Sequence, residues 1–548
     1  MGPPPPLEIP VAELAAIVER TKAGALSGDD HAKLKAAVGT LAFLTAELQA
    51  KGTSLDRLRR LLFGAPTEKT RTILGTGAAP DPPDAPPPAG SEATPPEAGA
   101  KPKRPGHGRI PAAAYAGATR VLIAHPTMHS GAGCPGCRQG KVYPLAEPGR
   151  LVRITGMAPL GATVYECDRL RCNLCGEVFT APAPEGVGAA RYDETAPSMV
   201  GLLKYGAGLP FHRIEVLQRG LGIPLPATTQ WELVRDAAVR LAPVFAELLR
   251  QAAQGELVHN DDTVMKILAL TVEQRRAAAA DEDTDGRTGV FTSAIVAVCG
   301  PYRIALFFTG RQHAGENLAD VLAQRAAELG PPIQMCDGLA ANTAGDFATI
   351  LANCLAHARR NFVDVVNNFP AEVRVVLETL REVYRNDALT RAQGLSPDAR
   401  LHLHQAESGP LMATLKAWLD QQFDEHRVEP NSGLGQAIAY MRNRWAPLTL
   451  FLRVPGAPLD NNLCERALKK AILHRKNALF YKTSNGARVG DVFMSLIHTA
   501  ELNDIGAFHY LVTLQRHHQD VARDPSAWLP WNYQQTLTAL DAQTVRPA

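Results

Sequence analysis

Between Gly75 and Arg109 the chain carries no Val, Ile, Leu, Met, Cys or aromatic residue, yet it holds ten prolines. Such a stretch cannot bury enough apolar surface to offset the entropy of ordering it, so it reads as a linker. Folded structure must therefore be built separately on its two sides. The linker ends in Lys101-Pro-Lys103-Arg104-Pro-Gly-His-Gly-Arg109, a basic segment suited to following phosphates or entering a minor groove; a solubilising tail is the alternative.

The 548 residues, at roughly 150 per domain, suggest three or four units. With 45% hydrophobic and 20% charged residues, a wholly disordered or collagen-like chain is excluded. The formal charge of +2 does not announce a nucleic-acid partner, so local clustering must decide. No apolar run approaches the roughly 18 to 20 residues that cross a bilayer, and Met1 to Pro10 has no secretory character, which gives the expectation of a cytosolic protein without a membrane partner.

Before the linker, Leu34, Leu41, Leu48, Leu55 and Leu62 recur every seven residues, the seam of a short leucine-zipper-like coiled coil and a reason to expect a homodimer. Gly39, Gly52 and a fresh N-cap at Ser54 leave two packed helices without a dimer as the alternative.

After the linker, Cys134-Pro-Gly-Cys137 and Cys172-Asn-Leu-Cys175 have the spacing of two knuckles closing one four-thiolate zinc site. Four thiolates leave no open coordination position, so this zinc would be structural. Cys167 lies close enough to replace either member of the second pair. Farther on, Phe211 to Arg219, the turn Gly220-Leu-Gly222 and a capping-box spacing at Thr229 and Glu232 predict two helices joined by a turn, either a DNA-reading pair or an ordinary one.

The period then changes. Leu257 to Leu268, Val290 to Val298 and Tyr302 to Phe308 read as three adjacent strands, followed by a helix near Glu316 to Leu329 and a strand at Ile333 to Cys336, which predicts a mixed α/β sheet. Helical patterning runs from about Asn361 to Trp445 and returns after Asn461. Asp281-x-Asp-x-Asp285-Gly286 imitates a calcium loop, but Thr292 stands where a bidentate Glu is needed, so a solvated acidic hairpin is expected.

Two-metal phosphoryl chemistry needs carboxylates at strand ends and on a neighbouring helix, and among 55 acidic residues, which permit many choices, three are candidates. Asp261 and Asp337 each follow an apolar strand-like run, and Glu465 lies on a helix with Lys469 and Lys476 on the same face. From Arg466 through Arg488 there are seven Lys or Arg and no Asp or Glu, a cluster that points to DNA. An exposed i,i+4 pair of Glu465 with Lys469, worth about 0.3 to 0.5 kcal/mol, is the bland alternative.

These segments together resemble the transposases of the insertion sequence sixty-six family, the TnpC type, over nearly the whole chain. The resemblance rests on Leu61-Leu-Phe-Gly64 with Thr67-Glu-Lys69, the paired Cys-x-x-Cys motifs, Asp261-Asp-Thr263, Asp337-Gly338, Cys354-Leu-Ala-His-Ala-Arg-Arg360, and Asp460-Asn-Asn-Leu-Cys-Glu-Arg466 through His474-Arg-Lys-Asn477. Asp262, Leu339 and His474 depart from residues common in that family. The resemblance implies a multidomain α/β protein with a ribonuclease H-like catalytic core, its DDE triad being Asp261, Asp337 and Glu465, and an α-helical insertion before the last carboxylate. N-terminal helices and a zinc-binding module precede that core.

The expected division is 1–74 for the N-terminal module, 75–115 linker, 116–182 zinc-binding module and 183–254 helical DNA-binding region. The core follows at 255–364, the insertion at 365–450 and the rest of the core with C-terminal helices at 451–548. The expected activity is magnesium- or manganese-dependent cleavage of element ends and strand transfer into target DNA, with two ions held by the three carboxylates. His357, Arg359, Arg360, Arg466, Lys469, Lys476, Lys101, Lys103 and Arg104 are the expected contacts to double-stranded DNA. Accessory proteins from the same element and a nucleoid-associated location are further expectations. An inactive zinc-containing DNA-binding regulator and a nuclease without strand transfer remain alternatives.

Overall fold

The computed structural model describes residues 11–20, 27–35, 37, 129–133, 139, 141–143, 159–171, 178–182, 184–185, 190–279 and 288–544. Residues 86–161 form one compact unit and the rest of the chain another. In the smaller unit Gly133 is bridged antiparallel to Lys141, and Val142 donates its amide to the carbonyl of Ala132 at 2.9 Å. In the larger unit β1 (Arg169–Arg171) and β2 (Val178–Thr180) pair antiparallel. Cys134, Cys137, Cys172 and Cys175 lie outside the described residues, as do the leucine seam from Leu41 on, Lys101, Lys103, Arg104 and the acidic hairpin at Asp281. Cys167 is a half-buried free thiol.

The larger unit is organised on one five-stranded mixed sheet. Its strands are β3 (Leu257–Val264), β4 (Phe291–Cys299), β5 (Tyr302–Gly310), β6 (Ile333–Cys336) and β7 (Ile350–Asn353), in the order β5-β4-β3-β6-β7. The first three form an antiparallel meander, whereas β6 and β7 run parallel to β3. Thr292 through Ala297 of β4 are all buried, as expected where helices cover both faces. The three predicted strands are present and adjacent, but β3 ends at Val264, and Leu268 opens a helix instead.

Helices enter in chain order as α1 (Val11–Arg20), α2 (Thr195–Gly201), α3 (Phe211–Gly220), α4 (Ala227–Ala252), α5 (Leu268–Ala279) and α6 (Ala314–Leu322). Among the described residues no helix is long and apolar enough to cross a membrane. The expected helix pair at 211–232 exists as α3 and α4, but the capping box at Thr229 and Glu232 does not form. Pro224-Leu-Pro226 starts α4 at Ala227, and Glu215 of α3 accepts the Ala227 amide at 3.2 Å, doing the capping from another helix. Likewise α6 stops at Leu322 rather than near Leu329, because Arg325 turns away to donate to the carbonyls of Ala253 and Gly255 at 2.7 and 2.8 Å.

After β7 comes α7 (Leu355–Val363), and the stretch expected as a helical insertion is occupied by α8 (Pro370–Ala392), α9 (Pro397–Leu403), α10 (Gly409–Asp424) and α11 (Gly433–Asn443). On α8 the buried positions Val373, Val376, Leu377, Leu380 and Val383 follow the spacing of one helix face. They share a core with Phe362, Met412, Leu415, Leu419, Leu434, Ile438 and Met441, continuous with Met335 of β6 and Ala352 of β7. At its far side Asp387 receives Arg400 at 2.7 Å and His404 at 3.3 Å, a buried charge with its partners in place.

The chain returns to the sheet through α12 (Asn462–Ala478), α13 (Ser484–Leu502) and α14 (Ala507–Arg516). Along α13 a polar stripe at every fourth residue faces the outer edge of β5. Asp491, Ser495, Thr499 and Asn503 accept the amides of Thr309, Phe307, Ala305 and Arg303 at 2.8, 2.9, 3.0 and 3.2 Å. Four helical residues advance about 6 Å and two strand residues about 6.8 Å, so the two repeats stay in step over this length. An edge strand that would otherwise present bare amides is thereby covered.

Candidate active site

Asp261 lies on β3 and Asp337 just after β6, each two residues beyond the last paired positions of these parallel strands, His259 and Met335. Glu465 is in the first turn of α12, which packs on β3 and β4. All three are partly buried.

A belt of buried amides beneath them ties the three elements together. The Asn260 side chain donates to the carbonyl of Asn342 at 2.6 Å and accepts from Gln334 of β6 at 3.0 Å. Asn342 donates to Asp337 Oδ1 at 2.9 Å. Asn461, fully buried at the start of α12, donates to the carbonyl of Asn260 at 3.1 Å. Its Oδ1 lies 3.0 Å from His259 Nδ1, and since burial pushes His259 down to about 4, the neutral ring is the donor. Buried amides left without partners are costly, so this network holds β3, β6 and α12 in one arrangement.

The insertion grips the same loop. Tyr440 donates to the carbonyl of Asp337 at 2.7 Å, and Arg444, stacked 4.4 Å from the Tyr440 ring, donates to the carbonyl of Gly338 at 3.2 Å. Gly338 takes φ +88°, and a Cβ there would lie 2.9 Å from Arg444 Nε, so backbone conformation and close approach both ask for glycine.

Electrostatics show how the acids feel one another. Burial first, then the charge of Asp337, with Asp262 and Glu465 adding, pushes the Asp261 carboxyl up from 3.8 to about 7. The amide of Asp262, donating to Asp261 Oδ1 at 2.8 Å, offsets only part of this. Their oxygens do not all come within 4.8 Å of one another; among the described residues the three-residue group that does is Cys354, His357 and Glu465. Like charges facing one another without a cation spread apart, and a bound divalent ion draws them in. A partly buried carboxylate held by other carboxylates against its own ionisation fits magnesium or manganese, whose ligands are oxygens.

The remaining expected residues fall into two groups. His357, Arg359 and Arg360 share α7, with His357 Nδ1 3.8 Å from Glu465 Oε1. Arg466, Lys469 and Lys476 are solvent-exposed along α12, beginning beside Glu465, whereas Lys470 is engaged with Glu501 of α13 at 2.9 Å. Arg475 anchors α12 to the end of β3 by donating to Thr263 Oγ1 at 3.0 Å. Sequence reading missed Asn260, Asn342 and Asn461, which support the site, and His313, which lies 2.8 Å from Asp262. A buried Asn seldom lacks a reason, but only the fold reveals these were buried.

The family model described as Transposase IS66 family matches residues 190–489, more than half of the chain and inclusive of all three carboxylates. Uncharacterized protein y4hP of Sinorhizobium fredii is 27% identical over 434 residues, spanning 75% of this chain and 70% of that protein. Uncharacterized protein y4jD of the same organism is 28% identical over 386 residues, spanning 67% and 71%.

Proposed function

The chain belongs to the IS66 transposase family, and from that premise we propose that it cleaves the ends of an insertion sequence and joins them to target DNA, with Asp261, Asp337 and Glu465 as its DDE carboxylates. The observation that carries this reading is that burial, and then the charges of Asp337, Asp262 and Glu465, lift Asp261 to about 7, since a sheltered carboxylate gathered with others against its own ionisation is the arrangement a divalent cation needs. The meander followed by two parallel strands, with Asp261 and Asp337 beyond adjacent strand ends, supports a ribonuclease H-like core.

When bound, magnesium or manganese would supply Lewis-acid stabilisation of the charge that develops on the phosphate oxygens. The chain's own residues hold and orient. The amide belt fixes the carboxylates, while Arg466, Lys469 and Lys476 follow backbone phosphates. His357, Arg359 and Arg360 lie toward the scissile strand. In the first step a water oxygen attacks phosphorus, the bond to the 3′ oxygen breaks, and that oxygen leaves as a 3′ hydroxyl with the proton the water gives up. In the second, this hydroxyl oxygen attacks a target phosphate, the bond to a target 3′ oxygen breaks, and that oxygen leaves as a hydroxyl with the proton the attacking group gives up. Each step is a phosphodiester exchange at one site, needing neither a covalent protein intermediate nor ATP.

A structural zinc at Cys134, Cys137, Cys172 and Cys175, a homodimer through the leucine seam, accessory proteins of the same element and a cytoplasmic, nucleoid-associated location complete the reading. The test is incubation of purified protein with DNA carrying the flanks of its own gene, scored for magnesium-dependent nicking at a defined position. Asp261→Ala, Asp337→Ala and Glu465→Ala should abolish nicking and retain DNA binding; nicking that survives all three overturns the assignment. Binding without any nicking marks an inactive regulator. Pre-cut ends with a free 3′ hydroxyl that are never joined mark a nuclease.

A further inference from the structure

Cys354, His357 and Glu465 each offer one ligand atom, and these sulfur, nitrogen and oxygen atoms all lie within 4.8 Å of one another. Cys354 is the N-cap immediately before α7, and His357 follows three positions later in the first turn. Glu465 reaches them from α12. His357 Nδ1 is buried and has no hydrogen-bond partner among the described residues. It stands 3.8 Å from Glu465 Oε1, beyond hydrogen-bond reach yet close to the separation of two ligands on one metal ion. Bonds of about 2.3 Å to sulfur and about 2.0 to 2.2 Å to nitrogen and oxygen place tetrahedral ligands roughly 3.3 to 3.7 Å apart, so small side-chain rotations would close the group.

We propose that Cys354, His357 and Glu465 form a binding site for a borderline-soft divalent ion of the zinc class, distinct in chemistry from the all-oxygen carboxylate site and sharing Glu465 with it. A thiol and an imidazole are poor ligands for magnesium and good ones for zinc or cobalt, so the two sites select different ions. Surrounding groups suit the role. The amide of Asn461 points at Cys354 Sγ from 3.2 Å, which favours a thiolate. An incoming ion must displace the thiol proton, so binding tightens as pH rises. Because Glu465 serves both sites, an ion bound here withdraws that carboxylate from Asp261 and Asp337.

The site stands on three side chains, and its test reads metal rather than DNA, so its failure is distinguishable from failure of the transposase reading. Full-length protein carrying one equivalent of zinc per chain, enough to fill the four-cysteine knuckles and leave this site open, is titrated with Co²⁺. The expected result is a thiolate-to-cobalt charge-transfer band with the intense visible bands of a low-coordinate ion, removed by adding zinc but not by equimolar magnesium. Cys354→Ser should lose the charge-transfer band, and His357→Gln should weaken cobalt affinity at least about tenfold. Both leave the four knuckle cysteines intact, so a band that survives both changes at full intensity belongs there and overturns the proposal. Far-ultraviolet circular dichroism checks folding, and should Cys354→Ser not fold, the His357→Gln titration decides alone.

Discussion

Replacing Asp261 by Asn removes one charge from the carboxylate cluster while keeping an acceptor for the amide of Asp262. The wild-type carboxyl sits at about 7 against 3.8 in an exposed chain, so its ionisation opposes folding. The sign follows. A raised acid contributes nothing adverse while protonated in both states, below about pH 3.8; the penalty of ionising it grows as pH climbs and levels off above about 7. The full difference is at most about 4 kcal/mol, and on the order of 2 kcal/mol once water reaching the half-buried side chain is allowed for. Without divalent ions, Asp261→Asn should therefore melt higher than wild type by a few degrees at pH 8, with an advantage that shrinks toward pH 5. Added magnesium or manganese should narrow the gap at pH 8, because the ion binds the wild-type folded state and not the variant. Differential scanning fluorimetry from pH 5 to 8, with chelator and with metal, makes the comparison. A gap independent of pH, or a variant less stable than wild type at pH 8 in chelator, would refute the claim that burial and its acidic neighbours together oppose the ionisation of Asp261.

Three further outcomes are expected. Asn461→Ala strips buried bonds from His259 and the Asn260 carbonyl, so chemical denaturation should register a loss of roughly 2 to 4 kcal/mol, accompanied by weaker nicking; unchanged stability would remove the amide belt from the account. Gly315→Ala on α6 would set a Cβ 2.0 Å from the Thr343 carbonyl oxygen, a backbone atom that cannot yield cheaply, and thermal melting should fall by several degrees. Asp387→Ala leaves Arg400 and His404 facing a vacated buried position, which should cost about 3 to 5 kcal/mol by urea denaturation; a small effect would mean the insertion relaxes around the gap.

Much of the sheet was legible because its strands are long apolar runs between turn-forming segments. Ile333–Cys336 falls where it was expected, and β4 and β5 differ from expectation by one or two residues at their ends. The four residues of β7 carry no alternation of their own and are a strand only because β6 supplies the ladder. The Thr229 capping spacing misled, since two prolines upstream set the helix start and a carboxylate from α3 reached its first amide. The acids at 261, 337 and 465 could be singled out as candidates because two follow apolar strand-like runs and one opens a basic helix. Their support could not: Asn260, Asn342 and Asn461 are spaced across some two hundred residues, and no local pattern marks side chains whose partners are assembled by tertiary contact.

The stripe at Asp491, Ser495, Thr499 and Asn503 bears on how the protein can be trimmed. The family match stops at residue 489, short of all four. A polypeptide shortened to that boundary would retain every acid yet present the Arg303, Ala305, Phe307 and Thr309 amides to whatever strand came near. Its fate in the test tube should be precipitation through strand-to-strand stacking, so a minimal soluble version has to extend at least through Asn503.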